Sequence, residues 1–471
     1  MEKSGREFRS EKDSLGEVHV PQEAYYGAET QRALENFQIS GERPDRLMVW
    51  SILQIKKCAA WVNEETGWLK PNKAAAIRSA CDEMLAGKYA DQFLVDPFQA
   101  GAGTSHHMNI NEVVANRASE LLGGKKGAYL VNAHNDVNMA QSTNDVIPTA
   151  IRLSCLEKHK DVENSLRDCS LAFKRLKSNY QQVKKSGRTH LQDAAPISFG
   201  AEFGAYARML ERDLEWLEAA RKRLLRLGIG GSAVGSGLNT PPQYAEKMAK
   251  YLSEATGFEL SCADDHYESM QSMADFVNYS AALRTASVSV TKICNDLRLL
   301  ASGPETGLDE IQLSAVQPGS SIMPGKVNPV IAEMVNMAMY HVMGLDQAEM
   351  LAGQAGQLEL NVMMPLIAHE LLEMQRIMAN AIHALNEKCL AGITVNIPKA
   401  KQWLAANPLW ITGLTRLIGY EAAAEIVKLS RENSTPVSKL LKEKIRRQEL
   451  IDKRNGKPLT WDECQKWVEE T

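Results

Sequence analysis

Between residues 198 and 229, apolar side chains return at steps of three, four or seven: Phe203, Ala207, Leu210, Leu214, Leu217 and Leu224. Glu211, Arg212, Arg221 and Lys222 fall between them, which is the spacing of one helix face against water. Gly228 supplies the stop. A helix of these 32 residues would extend about 48 Å, too long for a compact globule. The mean apolar step of about 3.5 is that of helices packed along their length in a bundle. Similar amphipathic patterns run through 143–182, 267–301 and 329–390, with glycine-rich breaks at 228–237 and 303–325. A mostly helical, elongated middle part is expected.

The first 140 residues read differently, with shorter elements, a Pro/Gly/Tyr-containing stretch at 21–27 and a glycine-punctuated loop at 95–104. After about residue 396 come Pro398, Pro408 and Pro436, shorter helical patterns and a charged tail. The expected organisation is therefore a mixed, mostly helical domain at 1–141, a long-helix bundle domain at 142–396 and a small helical domain at 397–471. No repeat of 20 to 50 residues recurs. One chain has too few long helices to cover all these apolar stripes, so homo-oligomerisation is the expected remedy.

Composition narrows the class. The length of 471 residues corresponds to about three domains at roughly 150 each. Apolar residues make up 44% and charged ones 24%, ordinary for a globular protein, with aromatics at only 6%. The 54 basic and 58 acidic side chains leave a net charge of -4, which argues against nucleic-acid partners and against a polybasic membrane surface. Cys58, Cys81, Cys155, Cys169, Cys262, Cys294, Cys389 and Cys464 are scattered without a C-x-x-C pair, as reduced core thiols of a cytosolic protein would be. The start, Met1-Glu-Lys-Ser-Gly-Arg-Glu, is charged and lacks a signal-peptide stretch, and no run of 18 or more apolar residues occurs. A cytoplasmic, membrane-free protein is expected.

The most specific chemistry lies in Gly319-Ser320-Ser321-Ile322-Met323-Pro324-Gly325-Lys326-Val327-Asn328-Pro329. Two glycines bracket a loop carrying two hydroxyls, an ammonium and an amide, and a helix is expected after Pro329. Such a loop can hold an anion; its alternative is an ordinary surface turn. A nucleotide-binding P-loop is disfavoured, because five residues instead of four separate the glycines and Val327 follows the lysine where Ser or Thr should. Gly228-Ile-Gly230-Gly231-Ser232-Ala233 fits G-x-G-x-x-A but follows a long helix, so a dinucleotide site is disfavoured too. His106, His107 and His134 have no carboxylate or cysteine at helical ligand spacing, and no metal is expected. Met334, Met337, Met339 and Met343 lie at helix spacing, as core filler does.

The 319–329 loop closely resembles the mobile signature loop of the aspartase/fumarase superfamily. Further blocks resemble that family in its own order: Gly101-Ala-Gly-Thr104-Ser105 with Met108-Asn109 and Asn111-Glu112, then Gln141-Ser142-Thr143-Asn144-Asp145, then Gly187-Arg188-Thr189-His190-Leu191-Gln192-Asp193-Ala194. Weaker similarity continues through 292–298 and 356–362, so the resemblance covers nearly the whole chain. It implies a mostly α, three-domain subunit with a long central helical bundle, forming a homotetramer in which each active site is shared among three subunits. It also implies cofactor-free elimination of an amine or water beta to the carboxylate of a small molecule. Proton removal leaves a dianionic, aci-carboxylate-like intermediate, stabilised by cations and hydrogen-bond donors aimed at the developing charge. By resemblance Ser320 is the base, and Lys326 and Asn328 bind this carboxylate. Thr104, Ser142, Thr143, Asn144, Thr189 and His190 hold the other carboxylate and the leaving group, and Ser321 and Met323 complete the loop's substrate contacts. For His190 the alternative is a packed core histidine.

Within the family, Gly-Ala-Gly-Thr-Ser, Gln-Ser-Thr-Asn-Asp and the 355–363 segment are closer to aspartases, whereas 230–235 is closer to the fumarase form. The chain also departs from the family. His134-Asn135-Asp136-Val137-Asn138 replaces Pro-Asn-Asp-His-Val-Asn, and His106 and His107 stand where a small or apolar residue and an asparagine are usual. Glu305 replaces an arginine, and Gln354 and Met364 replace glutamates. Charge changes of this kind alter which substrate group is tolerated. The expected order of activities is ammonia from aspartate, then an amine from an unusual betaine as in ergothionase, then water from malate. A non-catalytic structural relative comes last.

Overall fold

A computed structural model describes residues 7–470. The reading of the charged start rests partly on residues 1–6, which lie outside the described residues. Chain contacts define two units, the first taking the chain up to Leu166, Arg212–Ser289 and Met337–Ala381, the second Arg167–Glu211, Val290–Asn336 and the chain from Ile382 on.

In the first unit an antiparallel hairpin, β1 (Phe8–Asp13) and β2 (Gly16–Pro21), precedes helices α1 (Ala28–Asn36), α2 (Arg46–Glu65), α3 (Pro71–Leu85) and α4 (Thr104–Leu121). Local chemistry sets their starts. The Asp45 carboxylate accepts Leu47 N at 2.7 Å, and Pro71 opens α3 where its missing N–H costs nothing. Helix α4 packs against α1, α2 and α3, and residues 106–116 are all buried. Its buried polar groups peg the neighbouring loops. Asn116 Nδ2 donates to Tyr25 O at 2.8 Å, and Glu112 accepts Gly27 N at 2.8 Å, Glu29 N at 3.0 Å and Thr30 N at 3.1 Å. Helices of 20, 15 and 18 residues make this region more regular than expected. A helix buried on every side, with asparagines and a glutamate inside, shows no amphipathic stripe to read.

Then follow α5 (Thr143–Asn179), the hairpin β3 (Lys184–Thr189) and β4 (Gln192–Ser198), α6 (Phe199–Leu224), β5 (Arg226–Leu227), α7 (Tyr244–Thr256), β6 (Ser261–Cys262), α8 (His266–Gln271), α9 (Ala274–Leu300), α10 (Val330–Gln354) and α11 (Met364–Lys388). The long helices expected in the middle of the chain are present, with three corrections to their ends. Helix α6 stops at Leu224 instead of 229, because β5 pairs in parallel with β6 and the backbone bonds go to that ladder. The 267–301 pattern is two helices, α8 with its own cap at Asp265, and α9. The 329–390 pattern is also two. Asn361 closes α10 by donating to Ala352 O at 2.9 Å and accepts Met363 N at 2.8 Å before α11.

In the second unit Phe173, Phe199, Phe203 and Tyr206 form an aromatic cluster. The strand pair β7 (Ile311–Gln312) and β8 (Thr394–Val395) is followed by α12 (Ile397–Ala406), α13 (Thr415–Ile418), α14 (Tyr420–Glu432), α15 (Val437–Arg446) and α16 (Trp461–Glu470). Helices α13 to α16 and the turn before them close on their own core of Ile411, Leu414, Leu417, Ile426, Leu441 and Leu459. Among the described residues, no helix is long and apolar enough to cross a membrane.

Candidate active site

The 319–329 loop is closed at its base. Gly319 N donates to Lys326 O at 2.8 Å, and the Asn328 amide donates to Gly319 O at 2.7 Å. A Cβ on Gly319 would sit 2.6 Å from Lys326 O, so the closure requires glycine there. Beyond the base the loop stands in solvent, with Ser321, Met323 and Lys326 exposed and Gly325 in the left-handed region at φ 80°. Ser320 is half-buried, and its Oγ accepts Ile322 N at 3.2 Å and Met323 N at 3.0 Å. Two backbone donors on one hydroxyl oxygen are what a developing alkoxide needs.

Thr189 and His190 occupy the tip of the β3–β4 hairpin, both exposed. The two-residue turn is His190-Leu191, with φ 54° and 58°, the left-handed pair that matches the twist of the strands. Leucine at such a position costs about 1 kcal/mol. The hairpin base resists that strain through a buried ion cluster. Glu310 is fully buried, meets both terminal nitrogens of Arg188 at 3.0 Å and takes Lys185 Nζ at 3.0 Å. Lys185 also pairs with Glu202 at 3.0 Å, and Asn407 Nδ2 bonds Ser186 Oγ at 2.7 Å and Ala194 O at 2.8 Å.

In the first unit Thr104 and the 142–144 segment sit at the starts of α4 and α5. Gly103, at φ 86°, lies where a Cβ would meet the Ile147 side chain at 3.1 Å, which ties the two helix starts together. Thr104 is exposed and Ser142, Thr143 and Asn144 are half-buried. Asp145 is buried and accepts Ser142 N, Gly230 N and Ser232 N, each at 3.0 Å. Burial pushes its carboxyl up to about 6, which leaves it ionised at neutral pH. The amides of the G-x-G-x-x-A segment are thus taken by a carboxylate of the same chain, and Asn144 Nδ2 adds a bond to Ala233 O at 2.8 Å. That segment follows the short strand β5 instead of directly following a helix.

Behind Thr143 lies a group the sequence reading left without a role. Thr143 Oγ1 is 2.8 Å from His107 Nδ1, and His107 Nε2 is 2.5 Å from Lys56 Nζ. Lys56 is fully buried and bonds Asn138 Oδ1 at 3.0 Å and Gln141 Oε1 at 2.9 Å. His107 was visible in the sequence as a departure from the family; Lys56 carried no signal. Among the described residues, no three His, Cys, Asp or Glu side chains cluster as metal ligands would.

Each unit thus holds its own share of the named residues. Thr104, Ser142, Thr143 and Asn144 belong to the first, and Thr189, His190, Ser320, Ser321, Met323, Lys326 and Asn328 to the second. A model of a lyase family matches residues 16–344. The aspartate ammonia-lyase of Bacillus subtilis (strain 168) is 45% identical over 90% of this chain and 89% of its own length. The class II fumarate hydratase of Nitrosomonas europaea is 43% identical over 90% of this chain and 92% of its own. Among solved structures, a fumarate lyase:delta crystallin from Brucella melitensis bound to cobalt superposes with a TM-score of 0.92 at 40% identity, covering 98% of both chains.

Proposed function

Because the chain belongs to the aspartase/fumarase superfamily of lyases, we propose that it eliminates ammonia from L-aspartate to give fumarate, with Ser320 as the base. The observation that carries the mechanism is the Ser320 oxygen receiving two backbone N–H groups in a loop that also bears Lys326. A serine hydroxyl is ordinarily a poor base; fixed amide donors and a nearby ammonium lower the cost of its alkoxide. The Ser320 alkoxide, its hydroxyl proton already given up to solvent, takes the proton from the carbon beside the departing amine's carbon, and the charge moves into the adjacent carboxylate, held by Lys326 and Asn328. The C–N bond then breaks and ammonia leaves. Thr104, Ser142, Thr143, Asn144, Thr189 and His190 hold the second carboxylate and the amine, while Ser321 and Met323 line the substrate from the loop. Neutral donors orient an anion without trapping the dianionic product.

The working unit in this proposal is a homotetramer of three-domain subunits, in which three chains furnish one site. Exposed apolar side chains on α10 support association: Met337, Tyr340 and Leu351 are 65%, 55% and 55% exposed along one side of that helix. A second reading, hydration of fumarate to malate, is favoured by the fumarate hydratase relative and by the form of the 230–235 segment. Incubation with L-aspartate, L-malate and a trimethylammonium betaine, followed by ultraviolet absorbance of the conjugated product, separates these activities. Ser320→Ala is expected to abolish turnover with fold and assembly intact; an unchanged rate reassigns the base.

A further inference from the structure

We propose that Lys56 and His107 are positioning residues for Thr143: the imidazole carries the charge state of the buried amine into the direction of the Thr143 hydroxyl, and so decides whether that hydroxyl can donate to a bound carboxylate. The inference rests on the reading of Thr143 as a carboxylate-holding residue.

The geometry leaves few hydrogen-bond arrangements. Gln141 Nε2 donates to Val137 O at 3.0 Å and to Met139 O at 3.1 Å, and Asn138 Nδ2 donates to Gln141 O at 3.3 Å. Both amides are thereby oriented, and their oxygens face Lys56 as acceptors only. Two of the lysine's positions must therefore be N–H donors, and the third faces His107 Nε2. As an ammonium, Lys56 donates to Nε2; the imidazole then carries its hydrogen on Nδ1, donates to Thr143 Oγ1 and leaves the threonine O–H free to point outward. As an amine, Lys56 accepts from Nε2–H; bare Nδ1 then accepts the threonine O–H, and the outward donor is lost.

The exchange balances as a relay. A proton passes from Lys56 to Nε2, the Nδ1 hydrogen passes to Thr143 Oγ1, and the former hydroxyl hydrogen leaves to solvent. One proton departs, and the imidazole stays neutral at both ends. Burial favours this exchange: it pushes the Lys56 ammonium well below the ordinary lysine range and His107 well below the ordinary histidine range. Of the groups facing the pair, Asp145 on α5 supplies negative charge that favours the ammonium once pH exceeds its value of about 6. Cys81 on α3 and Cys58 on α2 are pushed up to about 12, Tyr244 on α7 is raised, and His106 is pushed down to about 4, so these stay neutral at physiological pH. His134 pairs with Glu29 at 2.7 Å. An asparagine, usual in the family at position 107, cannot exchange donor and acceptor by moving a proton.

The test follows the ring directly. In the full chain labelled with nitrogen-15 on histidine, the His107 signals are identified by their loss in His107→Gln and, independently, by their response to Lys56→Arg. From about pH 5 to about pH 10 the ring is expected to pass from the Nδ1–H to the Nε2–H tautomer without becoming imidazolium. The KM for L-aspartate should rise about tenfold over the same titration, with kcat moving less. His107→Gln should flatten that limb and Thr143→Ser should keep it. A ring that holds one tautomer throughout overturns the relay, and so does a tautomer change with no movement of KM. If no substrate is turned over, the functional reading fails, and the nitrogen-15 titration alone decides the relay.

Discussion

Glu310→Gln tests how the Thr189–His190 hairpin is held. The wild-type carboxylate is fully buried and serves three donors: Oε1 takes one Arg188 nitrogen, and Oε2 takes the other together with Lys185. Glutamine keeps the shape but has a single acceptor. With its oxygen in the Oε2 position, its NH2 faces an Arg188 N–H; with the amide turned over, it faces both Arg188 and Lys185. At least one hydrogen bond to a charged group is lost, about 1.5–3 kcal/mol. The substitution also removes the charge that balances two cations, one of them on a side chain only 3% exposed. Breaking a buried ion cluster in this way costs about 3–5 kcal/mol, and the remaining Lys185–Glu202 pair keeps the total within that range. The measurement is urea unfolding at one fixed protein concentration, since the proposed subunit association would contribute to apparent stability. Arg188 is the residue next to Thr189, so a shift of the hairpin base by about 1 Å should also lower kcat/KM for L-aspartate about 100-fold. A stability loss under about 1 kcal/mol with unchanged kcat/KM would refute the view that this cluster holds the hairpin.

Three further outcomes follow from the geometry. Gly319→Ala places a methyl group 2.6 Å from a backbone oxygen and should open the loop base and remove most turnover, whereas Gly325→Ala meets open space and bears only the left-handed backbone cost of about 1 kcal/mol; equal turnover in the two variants would contradict this. Gly103→Ala combines φ 86° with a contact to Ile147 at 3.1 Å and should lower thermal stability by about 1–3 kcal/mol and raise KM. For Asp145, burial lifts the carboxyl from 3.8 to about 6, so the folded state binds the proton more tightly than the unfolded one between those values. Its contribution therefore makes wild-type stability fall by about 3 kcal/mol as pH rises through that window. Asp145→Asn should lack this slope, so its disadvantage to the wild type should shrink with rising pH; a disadvantage that grows would mean the three backbone donors outweigh burial.

The helices of the middle of the chain were legible because each buries an apolar face that repeats and exposes the other, as with Phe203 through Leu224 in α6. The parts that escaped share a physical reason: their determinants are not periodic. Helix α4 is buried all round, so its polar residues pair with loops and erase the stripe. The β3–β4 hairpin turns on His190-Leu191, with neither the glycine nor the asparagine that announces a left-handed pair. The break between α10 and α11 depends on one asparagine side chain bridging nine residues. The loop bearing Ser320 was legible as a contiguous motif, since one short segment carries two glycines, hydroxyls and ammonium together. Lys56 was not, because its partner His107, itself visible as a departure from the family, lies 51 positions away and nothing local marks the lysine.

The same contrast separates the tightly held from the sparsely held parts of the proposed site. Residues 142–144 are held by Asp145, whose single carboxylate binds the start of α5 and the 230–232 backbone together, so their donors sit on a framework that cannot shift without losing three bonds at once. Thr189 and His190 are held by the Glu310 cluster in the same manner. Ser321 through Gly325 face solvent above the two bonds that close the loop base. Donors that hold a substrate gain from fixed geometry, because any freedom they lose is lost before binding. A serine base of the kind proposed gains if closure of its own loop over the substrate excludes water as it ionises. The two amide donors to Ser320 meet both needs: they sit two and three residues along the same loop, so the support of the proposed alkoxide belongs to the loop itself and not to the framework.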